Sequence, residues 1–320
     1  MAAHYWRLLL LGELGFAIAM ATLGRTAFQI PLGMAILTGL GVLLLLPGIL
    51  AGVSFVLARL MRHSKHPSQD FIGSLSAWIR ESMALGWASI AMSAEPCRRF
   101  PYDDSRGAAS LPARKTRGPD NPVLLIHGVT CNRGVWHPMA RALHARGFGP
   151  IRAVNLEPLL GNIDSHAAGV ADEIRRLRRD CGGARVAIVA HSMGGLVARA
   201  ALAHLAPDDI SRIVTLGSPH HGSVLARILP GLPYRQMEPD SNWLADLNAA
   251  QEGHFPVPVT CIYSSNDNLV RPTWSCALEG ATRVELEGLG HLSLLSARRA
   301  IDSTLSALTD SPAARQPCLT

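Results

Sequence analysis

Arg185-Val186-Ala187-Ile188-Val189-Ala190-His191-Ser192-Met193-Gly194-Gly195 is the stretch on which the fold turns. Its first six residues form a short apolar run of the kind buried strands carry, and Leu196 to Leu205 continues with helical spacing. A serine at such a strand-to-helix turn is held in a strained conformation with its hydroxyl lifted to the C-terminal edge of a sheet. The turn needs small residues two before and two after the serine, and these are Ala190 and Gly194. Ser192 is therefore the candidate nucleophile, with Gly194 as a supporting residue.

The same alternation runs outward in both directions. Strand patterns fall at 122–129, 151–156, 210–216, 257–263 and 282–286, with helical patterns at 135–146, 164–179 and 292–308. Repeated βαβ units with apolar strands predict an α/β domain, a mostly parallel sheet covered by helices on both faces. It spans residues 119–309, followed by a tail at 310–320.

A serine hydroxyl is a weak nucleophile at neutral pH and needs a base, oriented in turn by an acid. Downstream histidines are His204, His220, His221, His254 and His291. In a strand-turn-helix site of this kind the chain order is Ser, acid, His. His291, after the last strand and before the last helix, fits that order best; the pair His220-His221 comes early. Cys261-Ile262-Tyr263-Ser264-Ser265-Asn266-Asp267 reads as strand, turn and acid, so Asp267 is the candidate acid over Asp240 and Asp246. Backbone N–H groups must face the developing oxyanion. The candidates are Met193 and Val129, the latter in the Ile126-His127-Gly128-Val129 turn, where Gly128 permits the bend and His127 orients the loop.

His127-Gly128, Ala190 to Gly195 and Gly217-Ser218-Pro219-His220-His221-Gly222-Ser223 together resemble bacterial triacylglycerol lipases and esterases of the α/β-hydrolase superfamily, over roughly 121–308. The resemblance implies an α/β-hydrolase fold, a Ser192, Asp267, His291 triad, and ester cleavage through an acyl-enzyme without a cofactor. It also implies that 224–255 carries lid or acyl-pocket helices. Larger secreted relatives have a calcium-ligating aspartate two residues after the histidine; here Ser293 stands there, so no metal is expected. Some carry a disulfide around the acid loop, to which Cys261 and Cys276 can correspond; two free thiols is the other reading. An acyltransferase or thioesterase on the same triad, and a non-catalytic membrane scaffold, are the competing functions.

Hydrophobic residues make up 48% of the 320, and mean hydropathy is +0.19. The excess sits at the N-terminus. Leu8 to Leu23 is apolar apart from Glu13, and no charge occurs from Thr26 to Ala58. A spanning helix needs ~20 apolar residues. Residues 1–66 are thus expected to be a membrane segment of one or two helices, interrupted at Pro31 or Pro47; a cleaved signal peptide is the rival for the first stretch. Arg59, Arg62 and Lys65 follow it, whereas Arg25 alone separates the two stretches, which favours a cytoplasmic catalytic domain on a bacterial inner membrane. Residues 67–118 read as a helix at 71–94, lying at the interface or packed on its neighbours, and a basic linker. The net charge of +6 comes partly from that linker, and no aromatic-studded basic motif points to nucleic acid. The expected partners are a lipid-like ester and the membrane.

Overall fold

The computed structural model describes residues 2–61, 71–95, 100, 121–252 and 254–309. The basic linker, the C-terminal tail, Arg62 and Lys65 lie outside them.

Six strands form one parallel sheet in the order β2-β1-β3-β4-β5-β6: β1 Val123–Ile126, β2 Ile151–Val154, β3 Val186–His191, β4 Ile210–Leu216, β5 Val259–Ser264 and β6 Thr282–Leu286. β1 and β3 are buried at every residue, as expected of strands covered on both faces. One face packs on α5 (Ile163–Asp180) and α6 (Met193–Ala201), the first presenting Val170, Ile174 and Leu177 to the core. The other packs on α4 (His137–Ala145) and α9 (Arg298–Thr309) around the fully buried Trp136. Between β4 and β5 the chain forms a 3-10 turn at Val224–Ile228 and two short helices, α7 (Leu232–Gln236) and α8 (Asn242–Ala249).

Strand order reverses between β1 and β3. The connection from β1 runs to β2 on one side, while that from β3 runs to β4 on the other, so the loops diverge. In open parallel sheets a crevice opens at this point, outside the carboxyl ends of the strands. Gly128-Val129 follows β1 and Ser192 follows β3, so both candidate loops flank it.

Among the described residues, three helices precede the sheet: α1 (Ala2–Ala27), α2 (Leu32–Leu60) and α3 (Phe71–Ala94). α1 and α2 form a hairpin packed through small residues; a Cβ on Gly39 would lie 3.4 Å from that of Ala21. Pro31 sets the start of α2, whereas Pro47 lies inside the helix without ending it. Both helices are long and apolar enough to cross a membrane, and Leu8, Leu11, Phe16, Leu44 and Leu45 are exposed on them. α3 packs against both helices of the hairpin and against the catalytic domain, where Ala88 and Met92 join the core around Trp136.

One sequence expectation changes here, and one open alternative is decided. The single helix expected at 292–308 is a 3-10 turn at Leu292–Leu295 followed by α9, and the N–H groups that open the turn, those of Leu292 and Ser293, are capped by Glu81 of α3. Cys261 and Cys276 are free thiols, buried in separate apolar clusters.

Candidate active site

Ser192 has φ +56 and ψ −129, a left-handed backbone that a residue with a side chain adopts only when its surroundings impose it. The surroundings are tight. A Cβ on Gly194 would stand 2.5 Å from the Ile126 carbonyl oxygen and 2.6 Å from that of His127. One on Gly195 would stand 2.1 Å from the Ser218 hydroxyl, and one on Gly128 2.7 Å from the Ser192 Cβ. Glycines at 194 and 195 let α6 start flush against β1 and the loop after β4, and that contact forces the turn at Ser192.

His291 is 3% exposed, and its Nδ1–H donates to Asp267 Oδ2 at 2.8 Å, which leaves Nε2 as the basic nitrogen. The other Asp267 oxygen accepts from the N–H groups of Leu269 and Val270, both at 2.8 Å. Burial alone pushes the His291 imidazole pKa down, but the charge and hydrogen bond of Asp267 and the charge of Glu81 outweigh it, leaving the value raised. The rivals are placed elsewhere. Asp240 is exposed and paired with Arg227, Asp246 is exposed on α8, and His204 and His254 are exposed.

Met193 opens α6, so its N–H has no partner within the helix and faces out at the N-terminus. Val129 follows the turn at Gly128. His127 Nε2 accepts from the Leu156 N–H at 3.0 Å, so its proton sits on Nδ1 and donates to the Gly128 carbonyl at 2.8 Å. Burial holds its pKa down to about 4. That neutral ring braces the loop carrying Val129.

Ser192, His291, Gly128 and Val129 line one cavity of about 250 Å³. Its remaining walls are mostly apolar, with Leu225, Leu229 and Met237 of the segment after β4 and Trp6, Leu85 and Met92 of the N-terminal helices. A larger, polar hollow bounded by Arg152, Glu157 and Glu173 does not include the serine or the histidine.

The parallel sheet and its covering helices have counterparts among solved structures. A Bacillus licheniformis lipase in mature form aligns with a TM-score of 0.55 at 18% identity, covering 62% of this chain and 96% of that one. Aspergillus fumigatus lipase B aligns with a TM-score of 0.53 at 19% identity, covering 60% and 53%. The chain has the α/β-hydrolase fold. Within this hydrolase fold, residues 162–233 match the PGAP1-like alpha/beta domain. In sequence the chain is 34% identical over 116 residues to a triacylglycerol lipase from Pseudomonas fragi, covering 33% of this chain. The match spans 36% of that relative's length.

Sequence reasoning missed three residues that shape the site. Glu81 of α3 is 2% exposed, and its two oxygens accept from the N–H groups of Leu292 and Ser293, each at 2.9 Å. Burial raises its pKa, against the pull of those two bonds and of His291. Asn268 Oδ1 accepts from the His291 N–H at 2.8 Å, and its amide donates to the Ser54 hydroxyl of α2 at 2.7 Å. Trp6 of α1 donates its indole N–H to the Thr130 carbonyl at 2.7 Å. One signal for Glu81 was present: it is the only carboxylate in the helix at 71–94, where charges are few, and a buried charge must be paired.

Proposed function

We propose that the chain is a membrane-anchored serine hydrolase that cleaves lipid-like carboxylic esters through an acyl-enzyme on Ser192. The observation that carries this reading is the shared cavity: a strained serine at its floor, and on its wall a histidine whose far nitrogen is held by a buried carboxylate. The catalytic residues are Ser192, Asp267 and His291, the oxyanion donors the N–H groups of Val129 and Met193, and His127, Gly128 and Gly194 support them.

The steps follow from that geometry. Ser192 Oγ attacks the ester carbonyl while His291 Nε2 takes its proton. The oxyanion is stabilised by preorganised N–H groups, a term of several kcal/mol, about 2.7–4 per donor. His291 then protonates the leaving alcohol, and water, activated by the same nitrogen, frees the acid and the serine. No cofactor enters.

The substrate class rests on the apolar walls and on exposed Ile228, Leu229 and Leu232 beside the cavity. An activity of this kind in the Pseudomonas fragi relative supports it. The membrane placement rests on the hairpin. From Trp6 to the tip of α1 is roughly 21 residues, or about 31 Å at 1.5 Å per residue, close to one hydrocarbon thickness. Trp6 and Ser54 sit at its base, on the catalytic domain. In this reading the cavity lies at the bilayer surface, and the positive charge after α2 favours the cytoplasmic side.

Activity-based labelling with a fluorophosphonate, followed by hydrolysis of p-nitrophenyl esters of graded acyl length, tests this. Labelling with a preference for medium or long chains is expected. Intact protein that neither labels nor hydrolyses any ester contradicts it.

A further inference from the structure

Each of the three N-terminal helices sends one polar side chain to a different loop of the candidate site. Trp6 of α1 holds the Thr130 carbonyl, one residue beyond Val129, and Thr130 itself has φ +61. Ser54 of α2 accepts from Asn268, whose other amide atom fixes the His291 N–H. Glu81 of α3 accepts from both residues that follow His291. A simple tether needs none of these. Glu81 in particular is costly: a carboxylate withdrawn from water requires compensation from its partners. Its partners here are two backbone N–H groups and, through space, the His291 ring. A Cβ on Gly290 would stand 2.5 Å from a Glu81 oxygen, so the loop before His291 is pressed against the same carboxylate.

We infer that Glu81 is a positioning residue for His291, and that the N-terminal helices are part of the catalytic apparatus rather than an anchor alone. The inference rests on the triad reading above. Glu81 fixes the direction of the chain leaving the histidine and packs closely against Gly290 before it, and Asn268, steadied by Ser54, fixes the histidine's own backbone. The side chain can then bridge from Asp267 towards Ser192. Glu81 also adds negative charge near the imidazolium that forms as the serine attacks. The groups facing His291 are Asp267 from the loop after β5, His191 at the end of β3, with ring centroids 4.6 Å apart, and Glu81.

The test uses the full chain in detergent micelles or nanodiscs. Glu81→Gln keeps the shape but offers one acceptor and turns an amide N–H₂ towards the other N–H. It should lower kcat on the order of 10²-fold, the cost of a displaced catalytic group, with KM little changed. Its acid limb should move to lower pH, because one of two negative charges near His291 is gone. The fraction of sites titrated by fluorophosphonate at saturation should stay that of wild type. Ser54→Ala, at a half-buried position, should lower kcat several-fold with the same full titration. Wild-type kcat and pH profile in Glu81→Gln overturn the inference. So does a loss of titratable sites in proportion to kcat, which marks a folding role only. Should Glu81→Gln fail to fold, an unchanged kcat in Ser54→Ala overturns it. Wild-type protein that never labels defeats the hydrolase reading itself, and this inference with it.

Discussion

Asp267 uses both oxygens: Oδ2 takes the Nδ1–H of His291 at 2.8 Å, and Oδ1 takes the N–H groups of Leu269 and Val270 at the same distance. The carboxylate is thereby locked in rotation and aimed at one ring nitrogen. Asparagine can keep its oxygen on the two N–H groups, but then presents an N–H₂ to the imidazole and imposes the wrong tautomer. Asp267→Asn should lose ~10⁴-fold in kcat with the fold intact. Steady-state kinetics on the variant checks this, and full activity would point to another acid.

The raised pKa of His291 sets the pH profile. Only the neutral imidazole accepts the serine's proton, so activity is absent below the folded pKa and rises as pH climbs through it. The acid-limb midpoint of kcat/KM should lie above the ordinary histidine value of 6.5. A midpoint well below 6.5 would mean that the two carboxylates do not act on this ring.

Stability should fall in mild acid. His127, His191 and His220 are fully buried, and burial depresses the pKa of each, that of His127 to about 4. Below 6.5 the unfolded chain takes up protons that the native state refuses, so stability drops as pH falls, by about 1.4 kcal/mol per pH unit for each histidine in its window. His291, with its raised pKa, is protonated in both states below 6.5 and adds no slope there, whereas Glu81, whose pKa burial raises, works in the opposite direction as one group against three. Melting temperature followed from pH 7 to about 4.5 reads it. A flat curve would show that these rings have other partners or are solvated.

Gly195 and Gly194 should tolerate no side chain. An added methyl at 195 meets the Ser218 hydroxyl, and at 194 two backbone carbonyls. Overpacking costs about 1–3 kcal/mol, and here it also pushes α6 away from the turn that strains Ser192. Gly194→Ala should lower the melting temperature and the labelling rate together. Unaltered labelling would separate the strain from the function.

The elbow and the parallel sheet were legible because they rest on local patterns: an apolar run, small residues at fixed offsets, and helical spacing after them. Chain order singled out Asp267 and His291 from their rivals, and the structure brings the two within hydrogen-bond distance. What stayed hidden was long-range. Glu81 lies more than two hundred positions from the N–H groups it binds, and no spacing rule reaches that far. Helix 71–94 was found, but its helical pattern alone did not tell a membrane-facing surface from one packed on a domain; Ala88 and Met92 lie in the core. The turn at Leu292–Leu295 that precedes α9 is capped by that same distant carboxylate, a contact no local pattern announces. Cys261 and Cys276 are close in sequence, yet one points into the cluster under α6 and the other into a small cluster with Tyr263 and Val270.

The central claim is that Ser192 is the nucleophile. Purified full-length protein in detergent is reacted with a fluorophosphonate, digested, and the adduct mapped by mass spectrometry, in parallel with Ser192→Ala. The account predicts a single adduct on Ser192 in wild type, and in the variant neither adduct nor ester hydrolysis at an unchanged melting temperature. An adduct on another residue, or substantial hydrolysis by Ser192→Ala, would contradict it.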